Sequence, residues 1–538
     1  MCRKLFVIIV FVFVFFGFWL MSSCVSSWKD NSNDSDATQN RNALPVSSSI
    51  NTAGYYEFNF PSFAEKYGPP SWWKDEVFQL KQDYSKNYEE ITSPCPVEEC
   101  PWKKPENNFK EHPNKYLQEI IKYAYEGNLE VDWVIQKNTK GRKWFHAPFM
   151  HLDIVEPCLK PGDECKPKIE EKVAREFIHG LTMERPGCLS ELNYKIRNPP
   201  CAFPPKDKKT DFQSWAISFY NERGASYIGK VWEEVLKSAP NPQNFPAKGF
   251  PDGTVAIKLL FTQASKSDGV DYLENSIEWK ADTGDFDEDG FINTKRLSEK
   301  GTSEEDCKKD EKKCFSTMRL LQVDVAIRDD SVNSTTGWVF ATFTYDKDAK
   351  PFIEYESEAK DKDKWLRITP LGLMFGNDPT SQKGDELKET WLNTELKIPQ
   401  HYGCGDNANP LKRRLNGPVD NPASSCISCH AQSETPQDLK IGSIPYGCMR
   451  CESKYNIAEW FRNINPRSSN EKERTFTEST RDMQIFSLDY SLQLREGIRR
   501  YCVDSYNKGD NNCRFPAFQK GETFTVITKE GTRTFSIQ

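Results

Sequence analysis

An α+β fold is what this sequence predicts: an antiparallel-sheet-containing body followed by a mostly helical C-terminal region. Three observations predict it. Tyr116, Leu117, Ile120 and Ile121 recur at helical spacing, and Gly127 follows them as a stop. Over residues 254–368 the period changes to two: Val255/Ile257/Leu259/Phe261, Val323/Val325/Ile327 and Trp338/Phe340 alternate and are β-branched or aromatic, as strands require. Near the C-terminus two amphipathic helices are expected, one over 457–464 and one over about 488–503 with Ser487 as its N-cap.

In chain order, residues 1–24 read as a secretory signal. Arg3 and Lys4 precede an apolar run over 5–21, and Ser22, Ser23 and Cys24 mark the turn to polar sequence. Met21-Ser22-Ser23-Cys24 resembles a bacterial lipobox with Met in place of Leu, which makes Cys24 the expected lipidation site and attaches the chain to a membrane through its N-terminal lipid. The rival reading is an uncleaved anchor, since the run is at the short end of the spanning range. Either way the body faces the periplasm or the cell surface. Residues 25–54 are rich in Ser, Asn and Asp and read as a flexible tether. The α+β body occupies 55–395. Within it Ile169, Val173 and Phe177 predict a helix reaching Thr182 and ending before Pro186, and the charge runs 304–313 and 360–364 read as solvated loops. Past Leu371 the chain reads as loop-rich up to Pro422, suited to wrapping a cofactor, and 396–538 is the C-terminal region that carries it.

The cofactor signature is Cys426-Ile427-Ser428-Cys429-His430. Two thiols at this spacing can each form a thioether with one vinyl group of a haem, while the imidazole beside them reaches the iron from the same side. Cys426 and Cys429 are thus the expected tethers of a haem c, and His430 its axial iron ligand. Seventeen cysteines and six histidines in 538 residues would meet at this spacing by chance roughly 0.006 times. With Cys2, Cys24 and the haem pair set aside, thirteen cysteines remain, of which twelve form close sequential pairs, Cys95/Cys100, Cys158/Cys165, Cys188/Cys201, Cys307/Cys314, Cys448/Cys451 and Cys502/Cys513, and Cys404 is left over. Such short loops suit local disulfides in an oxidising compartment.

The segments Lys143-Trp144-Phe145-His146-Ala147-Pro148-Phe149-Met150-His151, Arg175-Glu176-Phe177-Ile178-His179-Gly180, Gly337-Trp338-Val339-Phe340, 371–378 and 414–430 resemble a family of large exported bacterial c-type cytochromes. The likeness runs from about Trp144 to the C-terminal helices. It implies covalent haem and an exported location, and it leaves the reaction open.

A sixth iron ligand would make the haem an electron carrier, whereas an open position would admit a substrate. Met374, in Leu371-Gly372-Leu373-Met374-Phe375-Gly376, is ranked first for its apolar neighbours, followed by Met483, with His146 and His151 behind them. Met449 lies within the Cys448/Cys451 ring, which restricts its reach. His146, Met150, His151 and His179 could alternatively serve a second metal or pack in the core. Asp285-Phe286-Asp287-Glu288-Asp289-Gly290 matches the first half of a calcium loop through Asp285, Asp287 and Asp289, but Arg296 stands where an EF-hand has its closing Glu.

A net charge of −7 argues against nucleic acid as a partner. Neither a P-loop, a G-x-S-x-G elbow, an H-E-x-x-H motif nor a dinucleotide fingerprint is found. Electron transfer with a redox protein partner is therefore the leading expectation. A haem oxidoreductase acting on a small oxidant such as peroxide, or a haem-based ligand sensor, is the alternative.

Overall fold

The period-two stretches belong to one antiparallel sheet of nine strands. The computed structural model describes chiefly residues 94–139, 141–148, 178–188, 211–232, 240–246, 249–283, 302–332, 336–375, 390–396 and 486–507. It adds short pieces that include 47–50, 55–59, 70–74, Phe78, Glu176, Cys426, His430, 433–435, 523–528 and 531–536. The strands of the sheet are β1 (Trp144–Phe145), β2 (Thr182–Cys188), β3 (Asp211–Asn221), β4 (Val255–Thr262), β5 (Glu278–Ala281), β6 (Ser316–Arg328), β7 (Trp338–Tyr345), β8 (Ile368–Met374) and β9 (Thr390–Leu392). Their order is β9-β8-β7-β6-β4-β3-β1, with β2 also pairing β3 and β5 also pairing β6.

Register explains why the alternation works. Val325 pairs with Ile257 on one side and Ala341 on the other, so apolar side chains line up in rows on a single face. That face gathers Ile257, Leu259, Phe261, Val323, Val325, Val339, Ala341 and Phe343 under the helix α1 (Pro113–Tyr125), whose Leu117, Ile120 and Ile121 are fully buried. Each such side chain contributes about 1.5–3 kcal/mol of burial. Pro113 opens α1 at the position where its missing N–H costs nothing, and Gly127 (φ 74°) closes it, with the Asn138 side chain occupying the space where a Cβ would stand.

The intervening residues face the other way. Tyr220, Trp338, Phe340, Leu371 and Met374 form a second core with α2 (Glu222–Trp232) and the C-terminal segment, through Ile228, Val231, Trp232, Leu488, Tyr490, Leu494 and Ile498. Strand β7 is buried along its whole length because both of its faces are covered.

Four expectations are corrected. Thr182 starts strand β2 and does not end a helix: its Oγ1 donates to the Ala216 carbonyl, and Pro186 is accommodated at a register shift. The charge run at 304–313 contains a short helix, α3 (Glu304–Lys309), because Ser303 and Asp306 form a capping box, and 360–364 runs into the single turn α4 (Lys362–Trp365). Past Leu371 the described residues continue β8 to Met374 and add β9, while 376–389 and 397–422 of the expected loop-rich stretch lie outside the described residues. Finally, the last helix, α5 (Leu492–Asn507), starts after Ser491, whose Oγ accepts from Leu494 N at 3.1 Å, while Ser487 lies in a strand. The expected helix at 457–464 lies outside the described residues.

Two expected disulfides are present, Cys95–Cys100 and Cys307–Cys314. The first rests against Gly253 (φ 81°), where a Cβ would collide with both sulfurs. Beside it the buried Asp252 carboxylate accepts from Cys95 N (2.9 Å) and Asp330 N (3.0 Å) and pairs with Lys103. Among the described residues, no helix is long and apolar enough to cross a membrane.

Candidate functional site

Cys426 and His430 both have helical backbone. Both meet the second face of the sheet. Cys426 packs on the core that contains Phe340 and Met374, and its Sγ lies 3.8 Å from Thr342 Oγ1 on β7. The His430 ring sits 4.8 Å from the Phe340 ring. Phe340 is in turn the register partner of Met374 on β8, a residue with no exposed surface, so Met374 lies one strand from the ring that touches His430.

His430 Nδ1 meets the Tyr490 carbonyl at 2.7 Å. A carbonyl can only accept, so Nδ1 carries a proton. An Nδ1 proton held by a carbonyl is what an imidazole that ligates a metal through Nε2 carries.

Tyr490 is held by a short strand pair and a buried ionic group. Glu434–Thr435 pairs with Phe486–Ser487, Ser433 N donates to the His430 carbonyl, and Leu488 N donates to the Ser433 carbonyl. Asp489, fully buried, accepts from Trp338 Nε1 (3.0 Å) and Phe250 N (2.7 Å), with Arg328 Nη1 3.8 Å away. Burial pushes its carboxyl above the usual range, against the pull of Arg328, the Trp338 indole and the Phe250 amide. Tyr220 and Ser491 hydroxyls meet at 2.7 Å and join this turn to β3. Burial raises the Tyr220 phenol beyond its normal range.

Next to Cys426, a polar row crosses the same face of the sheet. Ser218, Lys258, Asp324 and Thr342 are successive register partners. Lys258 Nζ lies 3.0 Å from Asp324 Oδ2, and Thr342 Oγ1 donates to Asp324 Oδ1 at 2.9 Å.

Two other described histidines, His146 and His179, are engaged elsewhere. His146 is buried, and its Nδ1 donates to the Ser218 carbonyl at 3.0 Å. His179 stacks on Trp279 (4.5 Å, 4° between planes) and meets Phe78 edge-on, both members of the opposite core. Its Nδ1 is 3.6 Å from Glu176, a fully buried carboxylate that also accepts from Ile178 N, His179 N and Asp282 N. Asp285 sits in a two-residue strand, Asp285–Phe286, paired with Ile292–Asn293. Among the described residues no group of three or more His, Cys, Asp or Glu side chains is arranged to hold a metal ion. Cys24, Asp287, Asp289, His151, Cys429, Met449 and Met483 lie outside the described residues.

Sequence reading missed Asp489 and Tyr490. A backbone carbonyl leaves no signature in a sequence, and an Asp-Tyr pair is a commonplace. Trp338 and Phe340 entered only as a strand and as part of the family resemblance. Comparison with protein-family models, with curated proteins and with solved structures finds no match to this chain.

Proposed function

We propose that the chain is an exported mono-haem c-type cytochrome that transfers electrons through a haem bound at Cys426, Cys429 and His430. The observation that carries this reading is the Nδ1 contact of His430 with the Tyr490 carbonyl, which sets an iron-ligating tautomer in the one imidazole that follows a C-x-x-C spacing. The surroundings suit the group. Phe340, Leu371 and Met374 offer an apolar wall beside Cys426, and a haem needs such a wall to be shielded from water.

When bound, the haem supplies a one-electron couple. The protein's residues do the rest: Cys426 and Cys429 tether it, the Tyr490 carbonyl keeps the His430 proton on Nδ1, and Phe340 fixes the ring. Met374 is the leading sixth ligand, ahead of Met483, His146 and His151, because it is buried on the strand next to Phe340. The C-terminal region that bears the haem is mostly helical in this reading, supported by α5 packing into the same core as Cys426. Lipid at Cys24 would hold the protein on a bacterial membrane, facing the periplasm or the cell surface, with a redox protein as its partner. A weakly bound calcium at Asp285, Asp287 and Asp289 completes the proposal.

An absorption spectrum of the reduced protein with and without carbon monoxide tests the electron-carrier reading. A six-coordinate low-spin haem that ignores carbon monoxide is expected, and Met374→Ala should abolish the ferric sulfur-to-iron charge-transfer band and admit the gas. Carbon monoxide binding by the wild type would overturn electron transfer in favour of a haem oxidoreductase or ligand sensor.

A further inference from the structure

We infer that Asp489 is the positioning residue of His430, acting through the peptide that follows it: Asp489 holds the turn at 487–491 in a left-handed conformation, and that conformation aims the Tyr490 carbonyl at His430 Nδ1. Asp489 (φ 46°) and Tyr490 (φ 66°) are consecutive non-glycine residues in the left-handed region, an arrangement that side chains disfavour and that persists only where surrounding contacts enforce it.

Those contacts converge on one carboxylate. Asp489 Oδ1 accepts from the Trp338 indole at the start of β7, and Oδ2 accepts from Phe250 N in the loop before β4. The Arg328 guanidinium at the end of β6 lies 3.8 Å from Oδ1 and donates to the Thr336 carbonyl at 2.7 Å. The Asp489 amide donates to Ser487 Oγ.

Glycines make room for this arrangement. A Cβ on Gly249 would overlap the Asp489 carboxyl, and one on Gly337 would overlap the Arg328 guanidinium; both glycines have positive φ, so side chains are disfavoured there twice over. Two loops of the sheet, the one before β4 and the one between β6 and β7, are therefore shaped around this one side chain. Asp489 sits one residue from the carbonyl that does. Leu488 N and Ser433 N lock the same turn to the backbone of the C-x-x-C-H tail, so a shift at Asp489 moves the carbonyl relative to the ring.

The consequence for iron rests on the haem reading above; the consequence for the imidazole tautomer does not. The full-length chain labelled with ¹⁵N-histidine should show His430 protonated at Nδ1, in a Cys426→Ser/Cys429→Ser background that lacks covalent haem. Asp489→Ala in that background should give mixed tautomers. In the haem-bearing chain the same substitution should weaken the basicity that the acceptor lends the ligand. The ferric state then loses stabilisation, and the midpoint potential rises by about tenfold in the redox equilibrium, 59 mV for one electron.

Trp338→Phe removes one of the two neutral donors and keeps the carboxylate. It should shift both readouts in the same direction by less, and it decides the matter if Asp489→Ala does not fold. A folded Asp489→Ala, or failing that a folded Trp338→Phe, with the His430 tautomer unchanged overturns the inference. A tautomer change in a chain whose wild type carries no porphyrin upholds the role of Asp489 and overturns the haem reading alone.

Discussion

Buried carboxylates organise this protein at the residue scale, each by collecting backbone N–H groups from segments far apart in sequence. Asp252 joins the Cys95–Cys100 loop, Lys103 and the turn at Asp330. Removing it strands a partly buried cation and two amides, so Asp252→Ala should cost about 3 kcal/mol, read as a lower urea midpoint with an unchanged slope. Glu176 does the same for residues 176–179 and Asp282. Burial pushes its carboxyl up, but the hydrogen bond and charge of His179, with the His179 and Ile178 amides, outweigh burial and hold it below the ordinary value. A carboxyl whose folded value is lowered contributes stability that is complete above the unfolded value of about 4.3 and is lost as pH falls through the folded one. Stability should therefore decline below about pH 4. Glu176→Gln should be less stable at pH 7 and show a shallower acid decline in urea melts taken from pH 3 to 7. Asp132 and Asp489 share a further pattern: each is left-handed, each precedes a left-handed aromatic residue, and each accepts a Trp indole N–H at 3.0 Å.

For the elements, Ser491 has two jobs, capping α5 and meeting the Tyr220 hydroxyl. Ser491→Ala should cost about 1–2 kcal/mol, checked by chemical denaturation, and its largest local effect should be faster amide exchange in the first turn of α5. What the sequence disclosed follows the same physics. β4, β6 and β7 were legible because their alternating residues face a core built from their own register, and α1 because one apolar stripe is enough to define it. β8 was hidden because Pro370 and Gly372 interrupt its alternation, and both sit beside a register shift with β7. Ser303 and Asp306 spelled a capping box that the charges around them obscured. The start of α5 could not be read, since the apolar period begins at Leu488 while the left-handed turn that delays the helix depends on Trp338, Phe250 and Arg328 from the sheet. Likewise the C-x-x-C-H motif was plain and its acceptor was not, because the acceptor is main chain brought from sixty residues away.

For the whole molecule, the sheet is a two-sided platform. Its first face is closed by α1 and the aromatic core around Trp133, Trp279 and Trp365; its second meets α2, α5 and the C-x-x-C-H segment. A body of this size exceeds what a haem tether requires, and its strand β7 brings Phe340 to the His430 ring and Trp338 to Asp489. All of this has its proposed purpose only if the porphyrin is attached to the chain. The most direct measurement is the intact mass of the mature protein after extraction with acid and organic solvent. One porphyrin per chain should remain in the wild type and be lost in Cys426→Ser/Cys429→Ser; a wild-type mass equal to that of the polypeptide alone would contradict it.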